Sequence, residues 1–239
     1  MPVRFVSRSG SDHPITKIDY ELVTETVKVG SSSLTLTTFG HVEREIDRVF
    51  QWLEAAGRPA DEIESLAPYF GAIWPAALAL AGFLEQPEWA AKLPGKSVLE
   101  IGCGLAVPGI IAAKHGASVV VSDNHPDVPR FLERNVALNE PVSLDFSDGD
   151  AVTNVDKRYD MVIASDVLYE ARLVQVFAEK MSRLVTPEGV CLMADPGRPY
   201  IQQFEHAMLA KGWSCELQPW SVRHNGCDAD IYLMVFKRA

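Results

Sequence analysis

Glu100, Gly102 and Gly104 stand at alternate positions in the run from Ser97 to Gly104, and Asp123 follows Gly102 by 21 residues. Two glycines without a Cβ let the backbone turn tightly and approach a ligand, and the helix that follows offers free N–H groups at its start. An acid at the end of the next strand can accept hydrogen bonds from ribose hydroxyls. Together these residues predict a site for an adenosine-containing cofactor. Spacing narrows the choice, because a dinucleotide fingerprint needs its third glycine at position 107, where this chain has Val107 and only then Gly109. Glu100 would repel a pyrophosphate but could receive the amino group of an amino-acid cofactor.

A second group of residues bears on the reaction. Asp166 follows the apolar run Met161-Val-Ile-Ala164, at the strand end where ligands lie in parallel sheets, and reads either as a substrate-facing acid or as a cap of the next helix. Tyr169 lies one helical turn further on. Arg198, in a Pro-Gly-Arg-Pro loop, either holds its loop or meets substrate. Trp74 and Phe146 are either core aromatics or cofactor neighbours. Asn135 shares a helix face with apolar residues and needs partners, from a strand end or from a ligand. The histidines and cysteines show no metal-ligand spacing, so no metal is expected.

These residues require an alternating scaffold. Beyond Pro94-Gly95, strands are predicted near 97–102, 117–122, 142–146, 160–164 and 189–194, with helices near 107–115, 127–139 and 171–184 between them. Continuous β-branched runs such as Val119-Val-Val121 suit strands covered on both faces, hence a doubly wound, mostly parallel α/β sheet. A helix over 200–211 and strands over 213–219 and 230–236 add an antiparallel edge. Before this unit come a loosely attached arm to about residue 18, a β-hairpin over 21–39, and an amphipathic helix over 42–56. Acids at 61, 62 and 64 break that helix's pattern, and a further helix opens at Pro68 and carries Trp74. The division is therefore an N-terminal extension, 1–65, and a main domain, 66–239.

With 239 residues, 47% of them hydrophobic, the chain can bury a full core. A net charge of −10 opposes binding of nucleic acid or anionic membrane through the overall field. Four cysteines without a C-x-x-C pair predict reduced thiols and a cytoplasmic protein, and no apolar run is long enough to span a bilayer. Oligomeric state is unreadable.

From Glu100-x-Gly102-x-Gly104 the sequence resembles the class I, seven-β-strand S-adenosylmethionine-dependent methyltransferases, and more narrowly their protein-lysine methyltransferase and nicotinamide N-methylase-like branch. Trp74, Asp123 with Arg134-Asn-Val-Ala-Leu-Asn139, Ser165-Asp166-Val-Leu-Tyr169-Glu170, and Ala194-Asp-Pro-Gly-Arg198-Pro-Tyr200 carry the resemblance over residues 66–239. The resemblance implies S-adenosyl-L-methionine as cofactor, with Glu100, Gly102 and Gly104 at its methionine part, Asp123 at the ribose, and Phe146 with Asp148 at the adenine. Trp74 would cover it and Ser165 would adjoin it. Asp166 and Tyr169 would serve catalysis on a lysine of a protein substrate. Methylation of a small heterocyclic or primary amine, and a noncatalytic binding module, are the alternatives.

Overall fold

A computed structural model describes residues 3–7, 18–60, 63, 66–149 and 157–239. The arm between residues 8 and 17, and the acids at 61, 62 and 64, lie outside them. The strands are β1 (Val3–Ser7), β2 (Leu22–Val29), β3 (Ser32–Phe39), β4 (Ser97–Ile101), β5 (Ser118–Asp123), β6 (Leu144–Asp148), β7 (Tyr159–Ser165), β8 (Val185–Asp195), β9 (Trp213–His224) and β10 (Cys227–Arg238). The principal helices are α1 (Val42–Ala55), α2 (Pro75–Leu84), α3 (Val107–Lys114), α4 (Val128–Leu138), α5 (Ala171–Leu184) and α6 (Ile201–Leu209).

The main sheet has eight strands in the order β1-β6-β5-β4-β7-β8-β10-β9, parallel from β1 to β8 and antiparallel across β8, β10 and β9. Alternate residues of the central strands feed opposite faces, as the period of two requires. Val98, Val119, Val121, Met161 and Ile163 join the core beneath α2, α3 and α4. Leu99, Ile101, Val120, Val162 and Ala164 join the one beneath α5 and α6. The doubly wound sheet with an antiparallel edge is thus as expected.

Three details differ. Val3–Ser7, expected within a loose arm, pairs in parallel with β6 and adds an eighth strand to the expected seven. Arg4 anchors it, its Nε donating to Asp145 Oδ1 at 2.9 Å. Strands β9 and β10 run further than expected, to a tight turn at Asn225-Gly226 with φ of +49° and +78°. Pro68 opens a 3-10 turn at Tyr69–Gly71, and Trp74 caps α2 instead of lying inside it.

The hairpin β2–β3 is bound to the main unit at two places. Asn135 Oδ1 accepts the Thr37 N–H at 2.7 Å, and Asn139 accepts the Thr35 N–H at 3.1 Å and donates to the Thr35 carbonyl at 2.7 Å. Asn135 on α4 and Asn139 at its C-cap, one helical turn apart, therefore take the place of a neighbouring strand along the open edge of β3. This answers the choice left open for Asn135 in favour of a structural partner. At the hairpin's turn, Glu85 accepts hydrogen bonds from the Ser31 and Ser32 hydroxyls at 2.7 and 2.8 Å and meets His115 Nε2 at 2.7 Å.

Candidate functional site

Every candidate acid lies at or near the carboxyl end of a parallel strand, the side on which open α/β sheets bind ligands. Glu100 is in β4 on the face towards α3, two residues from Val98. It is 1% exposed, and its Oε2 accepts the Gly109 N–H at 2.9 Å while Oε1 is buried without a hydrogen-bond partner among the described residues. Burial pushes its carboxyl up to about 8, against the Gly109 hydrogen bond, which lowers it; the Asp123 charge raises it further. A buried acceptor that none of the described residues satisfies fits the ammonium of an amino-acid-like ligand.

The loop after β4 is built for close approach. Gly102 and Gly104 have φ of +67° and +50°, and a Cβ on Gly102 would come within 2.7 Å of Val167 Cγ1. A Cβ on Gly104 would approach the Phe70 carbonyl oxygen at 3.3 Å. The loop is locked to β5 because Asp123 Oδ2 accepts the Gly104 N–H at 2.9 Å, while its Oδ1 accepts that of His125 at 2.9 Å. Burial raises the Asp123 carboxyl, and these backbone bonds oppose that rise. Asp148 is the register partner of Asp123 at the end of β6. Glu100, the glycine loop, Asp123 and Asp148 thus form one cradle, and its donors and acceptors fit an adenosine linked to an amino acid.

Phe146 is placed otherwise than Asp148. It lies two residues inside β6, is 3% exposed and belongs to the apolar core beneath the sheet. Trp74 is half-buried, and its indole N–H donates to the Tyr69 carbonyl at 2.9 Å, which fixes the turn carrying Tyr69 and Phe70.

On the other side of β4, Ser165 ends β7 in register with Ala194. Asp166 follows with φ +56°, a left-handed conformation uncommon outside glycine and tolerated by aspartate. Its side chain is 8% exposed, and Arg198 Nε and Nη2 both reach its Oδ1, at 2.7 and 2.6 Å. Asp195, fully buried at the end of β8, shapes the arginine's loop by accepting the N–H groups of Gly197 at 2.8 Å and Arg198 at 2.6 Å on Oδ1. Tyr169 is half-exposed, with its ring centroid 6.5 Å from that of Tyr69. Partial desolvation and then the Asp123 charge hold its phenol above the ordinary range.

The Glu100–Gly109 bond, the Arg198–Asp166 pair and the Tyr69–Tyr169 pair were not foreseen as contacts. For the first, the signal was Gly109 itself: its Cβ would strike Glu100 Oε2 at 2.6 Å. Tyr69 carried no periodic signal.

The four cysteines are free thiols, and among the described residues no helix is long and apolar enough to cross a membrane.

Comparison with known proteins bears on the family and the fold. The chain is 30% identical over 134 residues to the electron transfer flavoprotein beta subunit lysine methyltransferase of Xenopus laevis, covering 55% of this chain and 53% of that protein. It is 34% identical over 141 residues to the histone-arginine methyltransferase METTL23 of Rattus norvegicus, covering 52% and 60%. The chain thus spans a little over half the length of these relatives. Among solved structures, a T. thermophilus 16S rRNA N2 G1207 methyltransferase in complex with AdoMet and guanosine shares the fold, with a TM-score of 0.62 at 15% identity over 98% of this chain and 57% of that one. Residues 62–206, which hold the cradle, Asp166 and Arg198, match the family described as lysine methyltransferase, and the chain belongs to that family.

Proposed function

We propose that the protein is an S-adenosylmethionine-dependent N-methyltransferase that modifies a lysine side chain of a protein substrate. The observation that carries this reading is the placement of Asp166 one strand away from the Glu100–Asp123 cradle, on the same edge of the sheet. When bound, S-adenosylmethionine supplies a methyl group already attached to its leaving group. Glu100 would hold its ammonium group, Gly102 and Gly104 would admit its close approach, and Asp123 would hold its ribose. Asp148 would adjoin the adenine, with Phe146 supporting that wall from the core, and Trp74 would cover the site through the Tyr69–Gly71 turn.

The chain's own part in the chemistry is alignment, which in well-oriented reactions is worth about 7–11 kcal/mol. Asp166 Oδ2, which receives no hydrogen bond from the described residues, orients the acceptor amine. A lysine ammonium near pKa 10.4 must first release its proton to solvent, and a partly desolvated seat favours that loss. Tyr69 and Tyr169 flank the approach and suit the alkyl stem of a lysine. Ser165 sets the backbone entry to Asp166. We place the protein in the cytoplasm, which suits its unpaired thiols.

Tritiated S-adenosylmethionine and soluble lysate protein test the reading. It expects label in a protein band. Label confined to the low-molecular-weight fraction supports methylation of a small amine, and no label despite measured S-adenosylhomocysteine binding supports a noncatalytic module. Methylation of an arginine side chain is a second reading, supported by the 34% identity to METTL23.

A further inference from the structure

The Asp166–Arg198 contact asks for an explanation beyond loop support. Asp195 already ties the arginine's loop down through two backbone N–H groups. Gly197 completes the loop with φ +87°, and a Cβ there would meet the Tyr232 ring at 2.9 Å. The loop is therefore shaped without the guanidinium. Yet Arg198 donates its Nε–H to Asp166 Oδ1 and brings Nη2 within 2.6 Å of the same oxygen, while the Asp166 backbone is held in a left-handed conformation. The backbone is held at both ends of the pair, by the Asp195 bonds on one side and the left-handed turn on the other.

A lone carboxylate in the seat would stabilise an incoming amine as ammonium and oppose the proton loss that methylation needs. A guanidinium stays charged throughout the working pH range and counteracts that effect at close range. It also leaves Asp166 Oδ2 to accept one N–H of the neutral amine. Among the described residues, the other charged or titratable groups about the seat are Asp195 beneath it, Tyr169 and the mutually bonded Glu170 and Arg172 at the head of α5, Tyr69 beside Tyr169, and Asp123 and Glu100 across β4. All of them are shared by wild type and an Arg198 variant, so a difference between the two reports the guanidinium.

We propose that Arg198 is a positioning residue that neutralises Asp166, so that the substrate seat receives its amine in the unprotonated, nucleophilic form. This rests on the reading of Asp166 as the amine's seat.

The test uses Arg198→Gln, Arg198→Lys and n-butylammonium as a mimic of the lysine side chain. By NMR titration, Arg198→Gln binds n-butylammonium about 5- to 10-fold more tightly than wild type, because Asp166 is released to a cation. Meanwhile the acid limb of its pH–rate profile for label transfer to lysate protein moves up by about one unit. Arg198→Lys stays close to wild type in both. Tighter cation binding with slower transfer is a combination that lost loop support does not produce. Equal n-butylammonium affinities in wild type and Arg198→Gln overturn the inference, as does loss of S-adenosylhomocysteine binding in Arg198→Gln, which makes the residue structural. Absence of label transfer by wild type removes the methyltransferase reading instead, and the n-butylammonium comparison still decides the role of Arg198.

Discussion

Glu100 Oε2 accepts the Gly109 N–H at 2.9 Å, and its other oxygen lies buried with no hydrogen-bond partner among the described residues. One carboxylate thus ties the central strand to the start of α3 and keeps an acceptor in reserve. Its carboxyl, raised from 4.5 to about 8, binds its proton more tightly in the folded chain than in the unfolded one. The stability this contributes is complete below about pH 4.5 and is lost as pH rises through about 8. Chemical denaturation at pH 5 and pH 8 should therefore show Glu100→Gln gaining stability relative to wild type at the higher pH. Calorimetry in buffers of different ionisation enthalpy should show wild type releasing a proton on binding S-adenosylhomocysteine at pH 7, and Glu100→Gln releasing none.

Asp123 holds two backbone N–H groups, one of them on the glycine loop. Asp123→Ala frees that loop and removes the acceptor proposed for the ribose. Affinity for S-adenosylhomocysteine should fall by roughly 10- to 100-fold, the cost of a lost charged hydrogen bond. Unchanged affinity would remove the ribose assignment.

Asp166→Asn keeps the shape of the substrate seat but not its charge. Turnover should fall by roughly 100-fold, as for a misplaced reacting group, with S-adenosylhomocysteine affinity nearly kept. Loss of cofactor binding instead would make Asp166 part of the cradle.

Asn135 and Asn139 close the open edge of β3, so Asn135→Ala leaves the Thr37 N–H without its partner. Each alanine should cost about 1–3 kcal/mol in denaturant melts, and hydrogen exchange at Thr35 and Thr37 should accelerate more than in the central sheet. Uniform exchange across the chain would show that the hairpin is not held in this way.

The strand, glycine loop and helix around Glu100 were legible because each local signal agrees with the final packing: β-branched runs, two glycines at positive φ and a proline in the first turn of α3. The edge strand β1 was not. Val3–Ser7 is short and interrupted by Arg4, and its pairing is decided by β6, more than a hundred residues away. The reach of β9 and β10 could have been read from Asn225-Gly226, a hairpin dipeptide. At the site, residue types showed where acids and glycines stand, but not which oxygen each donor would occupy. The grip of Arg198 on one oxygen of Asp166 depends on how β7 and β8 lie side by side, and no spacing in the sequence encodes it.

Peptide mass spectrometry of soluble lysate protein, after incubation with the purified chain and S-adenosylmethionine, tests the central claim most directly. The account predicts added methyl groups on lysine side chains with wild type and their near absence with Asp166→Asn. No methylated lysine in any protein, from a preparation shown to bind S-adenosylhomocysteine, would contradict it.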